Sequence, residues 1–160
     1  MIQTALEETK RVKEAKGHQA GTQGSAIVAG YGPAGRIVGE HLEASGYAVT
    51  VVDTNPDTVL MRLERNKGAK FGNILDEGVL RNAGIMEADV LVIAIPDEGD
   101  AIEACRIARK MRGDLKIVAR TNFLSRGLMA GEAGANEVVV EEVVTAEAMR
   151  DAVNRLMDRA

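Results

Sequence analysis

The chain has 160 residues, a formal net charge of −4 and 46% hydrophobic residues, with aromatics at 2% and no Trp. That length suits one globular domain with a short extension. The acidic balance, with no basic run to reverse it, argues against a nucleic-acid binder. The core must come from Val, Ile, Leu, Ala and Met, as in parallel α/β sheets.

Residues 1–20 are helix-permissive and heavily charged, but Ile2, Leu6, Val12 and Ala15 are too sparse for an amphipathic stripe. Gly21-Thr-Gln-Gly-Ser25 reads as a flexible linker, so residues 1–24 are expected to be a charged tether and 25–160 the domain. No apolar run approaches the ~20 residues needed to span a bilayer, and the N-terminus has no signal-peptide h-region. The chain is therefore expected to be soluble and cytoplasmic, without inserting into a membrane itself.

From Ser25 onward strand and helix patterns alternate. Strands are expected at 26–30, 48–53, 69–72, 90–95, 115–120 and 137–140. Helices are expected at 33–45, 57–67, 76–83, 98–112, 122–133 and 145–158, with stops at Gly46, Gly68, Gly84, Gly113 and Gly134. Val90-Leu-Val-Ile-Ala-Ile95 is a continuous apolar run, as befits a strand covered on both faces. The expected fold is a Rossmann-like, doubly wound parallel sheet of six strands in a three-layer α/β/α arrangement, leaving no room for a separate substrate domain.

The first strand runs into Gly30-Tyr31-Gly32-Pro33-Ala34-Gly35, a G-x-G-x-x-G turn opening a helix, and the second strand ends on Asp53. A lone glycine motif is weak, but here each part has a role in holding a dinucleotide. Gly30 permits the tight turn. Gly32 removes a Cβ where the backbone approaches phosphates, and Gly35 lets helix and sheet pack closely. The helix directs free N–H groups and its positive dipole end at the phosphates. Pro33 forgoes one donor yet suits the first helical position. Asp53, 18 residues after Gly35, can accept hydrogen bonds from ribose hydroxyls and would repel a 2′-phosphate, favouring NAD-type or simple adenosine nucleotides over NADP.

In such sheets the ligand sits outside the strands' carboxyl ends, at the switch point in strand order. This nominates Pro33 and Ala34 after strand one, Asp53 and Thr54 after strand two, and Asn73 and Ile74 after strand three. Ala94 to Pro96 follow strand four, and Arg120 with Thr121 closes strand five. Asn73 suits either an adenine edge or a turn. Arg120 is a permanent cation suited to phosphate, to a carboxylate across an interface, or to a structural ion pair.

The remaining reactive residues suggest no chemistry. Cys105 lies among small residues of a helix and reads as core, and a single cysteine excludes an internal disulfide. His18 and His41 have no partner at metal-ligand spacing. Asp97, Glu98 and Asp100, like Glu141 and Glu142, read as solvated loops or helix N-termini rather than a metal site.

In order and spacing, Gly30-Tyr-Gly-Pro-Ala-Gly-Arg-Ile-Val, Val51-Val-Asp53, Phe71-Gly-Asn73, Ala83-Gly-Ile-Met-Glu-Ala-Asp-Val, Ala94-Ile-Pro-Asp, Ile117-Val-Ala-Arg120 and Gly134-Ala-Asn-Glu-Val-Val resemble the RCK (TrkA-N) domain of potassium channels and transporters. The resemblance covers about residues 25–158 and is nearest to the cytoplasmic domain of Kef-type cation:proton antiporters. Many family members carry Gly-Asp where this chain has Gly72-Asn73. The resemblance implies binding of AMP, NAD(H) or ATP by the residues nominated above, Tyr31 included, and a homodimer formed through the sheet edge and outer helices. It further implies control of a transmembrane cation transporter at the inner face of the membrane, reached through the tether. No catalysis is required.

The alternative is an NAD-binding fragment of an oxidoreductase. Hydride transfer usually needs a proton donor or acceptor beside the nicotinamide. Tyr31 and Tyr47 lack a Lys four residues on, and neither histidine stands at a strand end. Gly32-Pro-Ala-Gly35 also matches an FAD-enzyme turn, but flavoproteins of that kind need a much longer chain.

Overall fold

A computed structural model of the chain describes residues 22–158. The expectations for residues 1–20, including His18, lie outside the described residues. Strands and helices alternate as β1 (Gly24–Ala29), α1 (Pro33–Ala44), β2 (Tyr47–Asp53), α2 (Pro56–Glu64), β3 (Gly68–Phe71), α3 (Glu77–Asn82), β4 (Val90–Ile93), α4 (Glu98–Met111), β5 (Lys116–Thr121), α5 (Leu124–Ala133), β6 (Glu137–Val140) and α6 (Glu141–Met157).

The six strands form one sheet in the order β3-β2-β1-β4-β5-β6, and every neighbouring pair is parallel. The order reverses between β1 and β4. Successive connections leave the sheet on opposite sides at this point and open a crevice beyond the strands' carboxyl ends. This is the expected Rossmann-like architecture.

Strand alternation divides the core in two. Ile27 and Ala29 of β1 join Leu91, Ile93, Ile117 and Ala119 in the core beneath α3, α4 and Ala130 of α5. Ala26 and Val28 turn the other way, toward Val49, Val51, Val59 and Leu63 under α1 and α2. Residues 26–29 are all buried, which is why β1 reads as an unbroken apolar run. Each buried Val, Leu or Ile contributes roughly 1.5–3 kcal/mol. Small residues on α4 (Ala101, Ala104, Cys105, Ala108), all fully buried, let that helix approach the sheet closely.

Several boundaries differ from the sequence reading, for local reasons. β1 begins at Gly24, inside the expected linker, because the Ser25 amide donates to Asp89 Oδ2 and the Gln23 amide to the Gly46 carbonyl. β4 stops at Ile93 rather than residue 95; the Ala94 amide still donates to the Ala29 carbonyl at 2.8 Å, and Ala94 and Ile95 line the crevice. Gly46, Gly84 and Gly134 adopt positive φ where helix stops were expected, but α2 ends through Asn66 (φ 57°) instead, and Gly68 is already in β3. α6 starts at Glu141, four residues earlier than expected. The β-branched pair Val143-Val144 obscured that start, whereas Glu141 and Glu142 favour the first turn of a helix.

Candidate functional site

The glycine-rich turn is built by steric necessity. Gly30 has φ 87°, and a Cβ there would stand 3.0 Å from the Ala94 carbonyl. A Cβ on Gly35 would fall 1.9 Å from the Gly30 carbonyl oxygen, so only glycine lets α1 start this close to β1. At Gly32 the reason is different. It has ordinary dihedrals (φ −72°, ψ −168°), and nothing lies within 4 Å of a Cβ built there. The space that Gly32 keeps clear lies outside the protein's own packing, as a cradle for a ligand requires.

The start of α1 is equally open. Asn55, Asp76 and Asp97 cap α2, α3 and α4 with side-chain acceptors. Gly32 caps α1 with no side chain, and Pro33 occupies the first turn. The first-turn N–H groups of Ala34 and Gly35 have no intrahelical acceptor, and they carry the positive end of the helix dipole.

Asp53 ends β2 beside this turn. Its Oδ2 accepts from the Tyr31 amide at 2.9 Å and its Oδ1 from the Asn55 amide at 2.8 Å. The carboxylate is thereby fixed in orientation, and each oxygen keeps a lone pair for a further donor.

A cavity of about 550 Å³ lies at the crevice. The structure brings Gly30, Tyr31, Gly32, Pro33, Ala34, Asp53, Thr54, Asn73, Ile74, Ala94 and Arg120 together in its lining, with Ile95 and Pro96 beside them. Of the nominated glycines, Gly35 is absent from that lining because it serves helix packing. Thr121 does not line it either: it is buried, and its hydroxyl donates to the Phe123 carbonyl at 3.3 Å. Strand alternation turns Thr121 toward α5, where its hydroxyl lies beside Gly127, while Arg120 faces the other way.

Asn73 and Arg120 each line the cavity and also hold a structural partner. Asn73 Oδ1 accepts from the Leu75 amide at 2.9 Å, a turn-forming bond that leaves its side-chain NH₂ for other partners. Arg120 Nη2 pairs with Glu141 Oε1 at 2.7 Å while lining the cavity. Three of the acidic residues after β4 and β6, Asp97, Glu98 and Glu142, have backbone partners. Asp97 Oδ1 accepts from the Asp100 amide, Glu98 Oε2 from the Asn122 and Phe123 amides, and Glu142 Oε1 from the Leu124 amide. These bonds occupy the carboxylates in holding loops and helix starts. Asp97 and Asp100 also line the cavity, a placement the motif did not reveal.

The sequence reading also missed Arg62, which is 2% exposed. Its guanidinium donates to Glu43 Oε1 at 2.5 Å, to the Val49 carbonyl at 3.1 Å and to the Gly68 carbonyl at 3.1 Å. It also lies 5.2 Å from the centre of the Tyr31 ring, which has a second cation, Arg36, at 5.8 Å. Arg62 thus supports the second residue of the glycine-rich turn from behind. Its signal was its place on α2 with Val59 and Leu63, the i, i+3, i+4 positions of an inward face. Burial alone would raise the Glu43 carboxyl, but hydrogen bonds and charge from Lys67 and Arg62 outweigh it and hold the group below its ordinary value of 4.5. Cys105 is buried, and desolvation pushes its thiol up to about 11, as suits packing rather than nucleophilic chemistry.

A parallel sheet with a glycine-rich turn, an open helix start and an acidic strand end at its switch point defines the Rossmann-like class of α/β domains. Within that class the chain belongs to the TrkA-N domain family, whose model matches residues 26–141. It is 33% identical over 124 residues to the YbaL protein of Escherichia coli K12, covering 78% of this chain and 22% of that protein. With the glutathione-regulated potassium-efflux system protein KefC of an Enterobacter species, identity is 28% over 112 residues, covering 70% of this chain and 18% of KefC. The chain therefore spans about a fifth of the length of these relatives. Among solved structures, the TrkA-N domain of E. coli inner membrane protein YbaL superposes with a TM-score of 0.78 at 32% identity, covering 81% of this chain and 96% of that one. A Shewanella denitrificans Kef CTD in AMP-bound form gives 0.72 at 30% identity, covering 82% and 81%.

Proposed function

We propose that this chain is a nucleotide-sensing regulatory domain of a potassium transport system, a cation:proton antiporter or channel, and that an adenine nucleotide, AMP or NAD(H) with ATP as a further candidate, occupies the crevice. The observation that carries this reading is the convergence of the space over Gly32, the uncapped start of α1 and the fixed Asp53 carboxylate on one cavity. The open N–H groups suit a phosphate, Asp53 suits the ribose hydroxyls, and Asn73 offers an amide to the base. The AMP-bound form of the similar Kef domain supports the same ligand class here.

The reading assigns the site to binding rather than chemistry. The Tyr31 hydroxyl is turned toward Arg62, which donates to it at 3.5 Å, leaving it poorly placed as a proton relay for hydride transfer. Regulation requires that the nucleotide bind two arrangements of the protein with unequal affinity. We assign the second arrangement to a homodimer attached to a transmembrane module on its cytoplasmic side. No helix among the described residues is long and apolar enough to cross a membrane, so the conducting part has to be a separate segment or partner. α6 has no buried residue and exposes Met149, Val153 and Leu156, an apolar stripe suited to a second copy.

Calorimetric titration of the purified chain with AMP, ATP, NADH and NADPH tests the ligand, and sedimentation equilibrium with and without ligand tests the dimer. AMP or NADH is expected to bind and NADPH to bind at least about tenfold more weakly, because a 2′-phosphate meets the Asp53 carboxylate. No binding at millimolar ligand overturns the reading.

A further inference from the structure

We propose that Arg120 is shared between the crevice and α6, so that an anionic group of a bound ligand draws it away from Glu141 and loosens the first turn of that helix. The inference rests on the nucleotide reading above and adds how occupancy would be reported outward.

Among the described residues that line the cavity, Arg120 carries the only cation, whereas Asp53, Asp97 and Asp100 are carboxylates. A phosphate extending from the turn at 30–34 toward β5 has this one guanidinium to meet. Arg120 is already engaged: its Nη2 lies 2.7 Å from Glu141 Oε1, with side-chain exposures of 27% for Arg120 and 51% for Glu141. An ion pair this open to water is weak, and a phosphate presents more charge and a better match to the guanidinium fork than one carboxylate oxygen. The two anions therefore compete for one cation.

Glu141 is the first residue of α6. Near it, that helix is held to the domain by the Arg120 ion pair, by the Glu142 amide donating to the Asn122 carbonyl at 3.1 Å, and by Glu142 Oε1 accepting from the Leu124 amide at 2.7 Å. With no buried residue of its own, α6 has little packing to offset the loss of one of these ties. The coupling is reciprocal: whatever the ligand takes from the Arg120–Glu141 pair, that pair takes from ligand affinity.

The test is calorimetry of AMP, NADH and adenosine on the full chain, on E141Q, on R120Q and on the double variant, with hydrogen exchange of α6 read in parallel. E141Q is expected to tighten AMP or NADH by about two- to fivefold, the range of an exposed pair. Adenosine, which has no phosphate, should be unaffected, and the gain should vanish when Arg120 is also replaced. In the unaltered chain, the phosphorylated ligand should speed exchange in the first turn of α6. Unchanged affinity in E141Q, with AMP or NADH still bound by the unaltered chain, overturns the coupling and leaves the nucleotide reading standing. An equal gain for adenosine, or the same gain without Arg120, overturns it too. Failure of every nucleotide to bind the unaltered chain overturns both.

Discussion

The Tyr31 amide donates to Asp53 Oδ2 at 2.9 Å across 22 residues of sequence, tying the middle of the glycine-rich turn to the end of the adjacent strand. The bond makes Asp53 a brace for the turn, and the proposed function adds a second task, accepting from the ligand's ribose hydroxyls. Asp53→Asn keeps the size but replaces one acceptor oxygen with a donor. A hydrogen bond to a charged group is worth about 1.5–3 kcal/mol, so AMP affinity is expected to fall at least about tenfold. Calorimetry measures it, and unchanged affinity removes Asp53 from the site.

Gly32 and Gly35 are expected to separate binding from folding. Gly35→Ala forces a Cβ against the Gly30 carbonyl oxygen and is expected to cost about 2–3 kcal/mol or more in a urea melt. Gly32→Ala meets nothing in the protein, so its stability cost should stay under about 1 kcal/mol, the difference between Gly and Ala at a helix start. Its methyl group intrudes on the ligand's space, and nucleotide affinity should drop while the melting curve barely moves. Equal effects of the two substitutions on stability would refute this division.

Arg62 is the most deeply buried charge among the described residues. Arg62→Met removes the cation facing Glu43 and leaves the Val49 and Gly68 carbonyls without their donor. The expected loss is about 2–3 kcal/mol, below the largest buried-pair losses because Lys67 still pairs with Glu43 at 2.6 Å. Equilibrium denaturation measures it.

The same network sets an acid limit. The folded protein holds the Glu43 carboxyl below its ordinary 4.5, so ionised Glu43 stabilises the fold above that pH. The contribution is lost as pH falls through the lowered value. Glu43→Gln is expected to flatten the pH dependence of stability below about 4.5 and to leave its shape at neutral pH unchanged. Urea midpoints at stepped pH test this, and an unchanged acid slope would exclude Glu43 as a contributor.

Cys105, fully buried with its thiol pushed up to about 11, is expected to resist iodoacetamide at pH 8 in the native state and to react once denatured. Rapid labelling of the folded chain, followed by mass spectrometry, would contradict its place in the core.

The strands were legible because the sheet is parallel and covered: Val90 to Ile93 and Ala26 to Ala29 read as apolar runs for that reason. The glycine-rich turn and Asp53 were legible because tight turning and close approach admit few residue types. Arg62 was not, since its partners Glu43, Val49 and Gly68 come from three other segments and follow no spacing rule. The placement of Asp97 and Asp100 also depends on tertiary structure, being set by where α4 begins relative to the crevice. Arg120 was nominated from its strand end, but its pairing with Glu141 depends on the early start of α6, which the β-branched Val143 and Val144 concealed.

Because every strand pair is parallel, no two neighbours can be joined by a tight hairpin. β1 meets β4 only after a long excursion, and Ser25 and Asp89, hydrogen-bonded across the base of that pair, are 64 residues apart. Closing so long a loop costs entropy before any contact offsets it. The crevice takes its walls from both sides of that closure, with the turn at 30–34 on one and Ala94, Ile95 and Arg120 on the other. Half a chain therefore cannot hold half a site: a nascent polypeptide that ends before β4 has the glycine-rich turn in its sequence but no pocket in space.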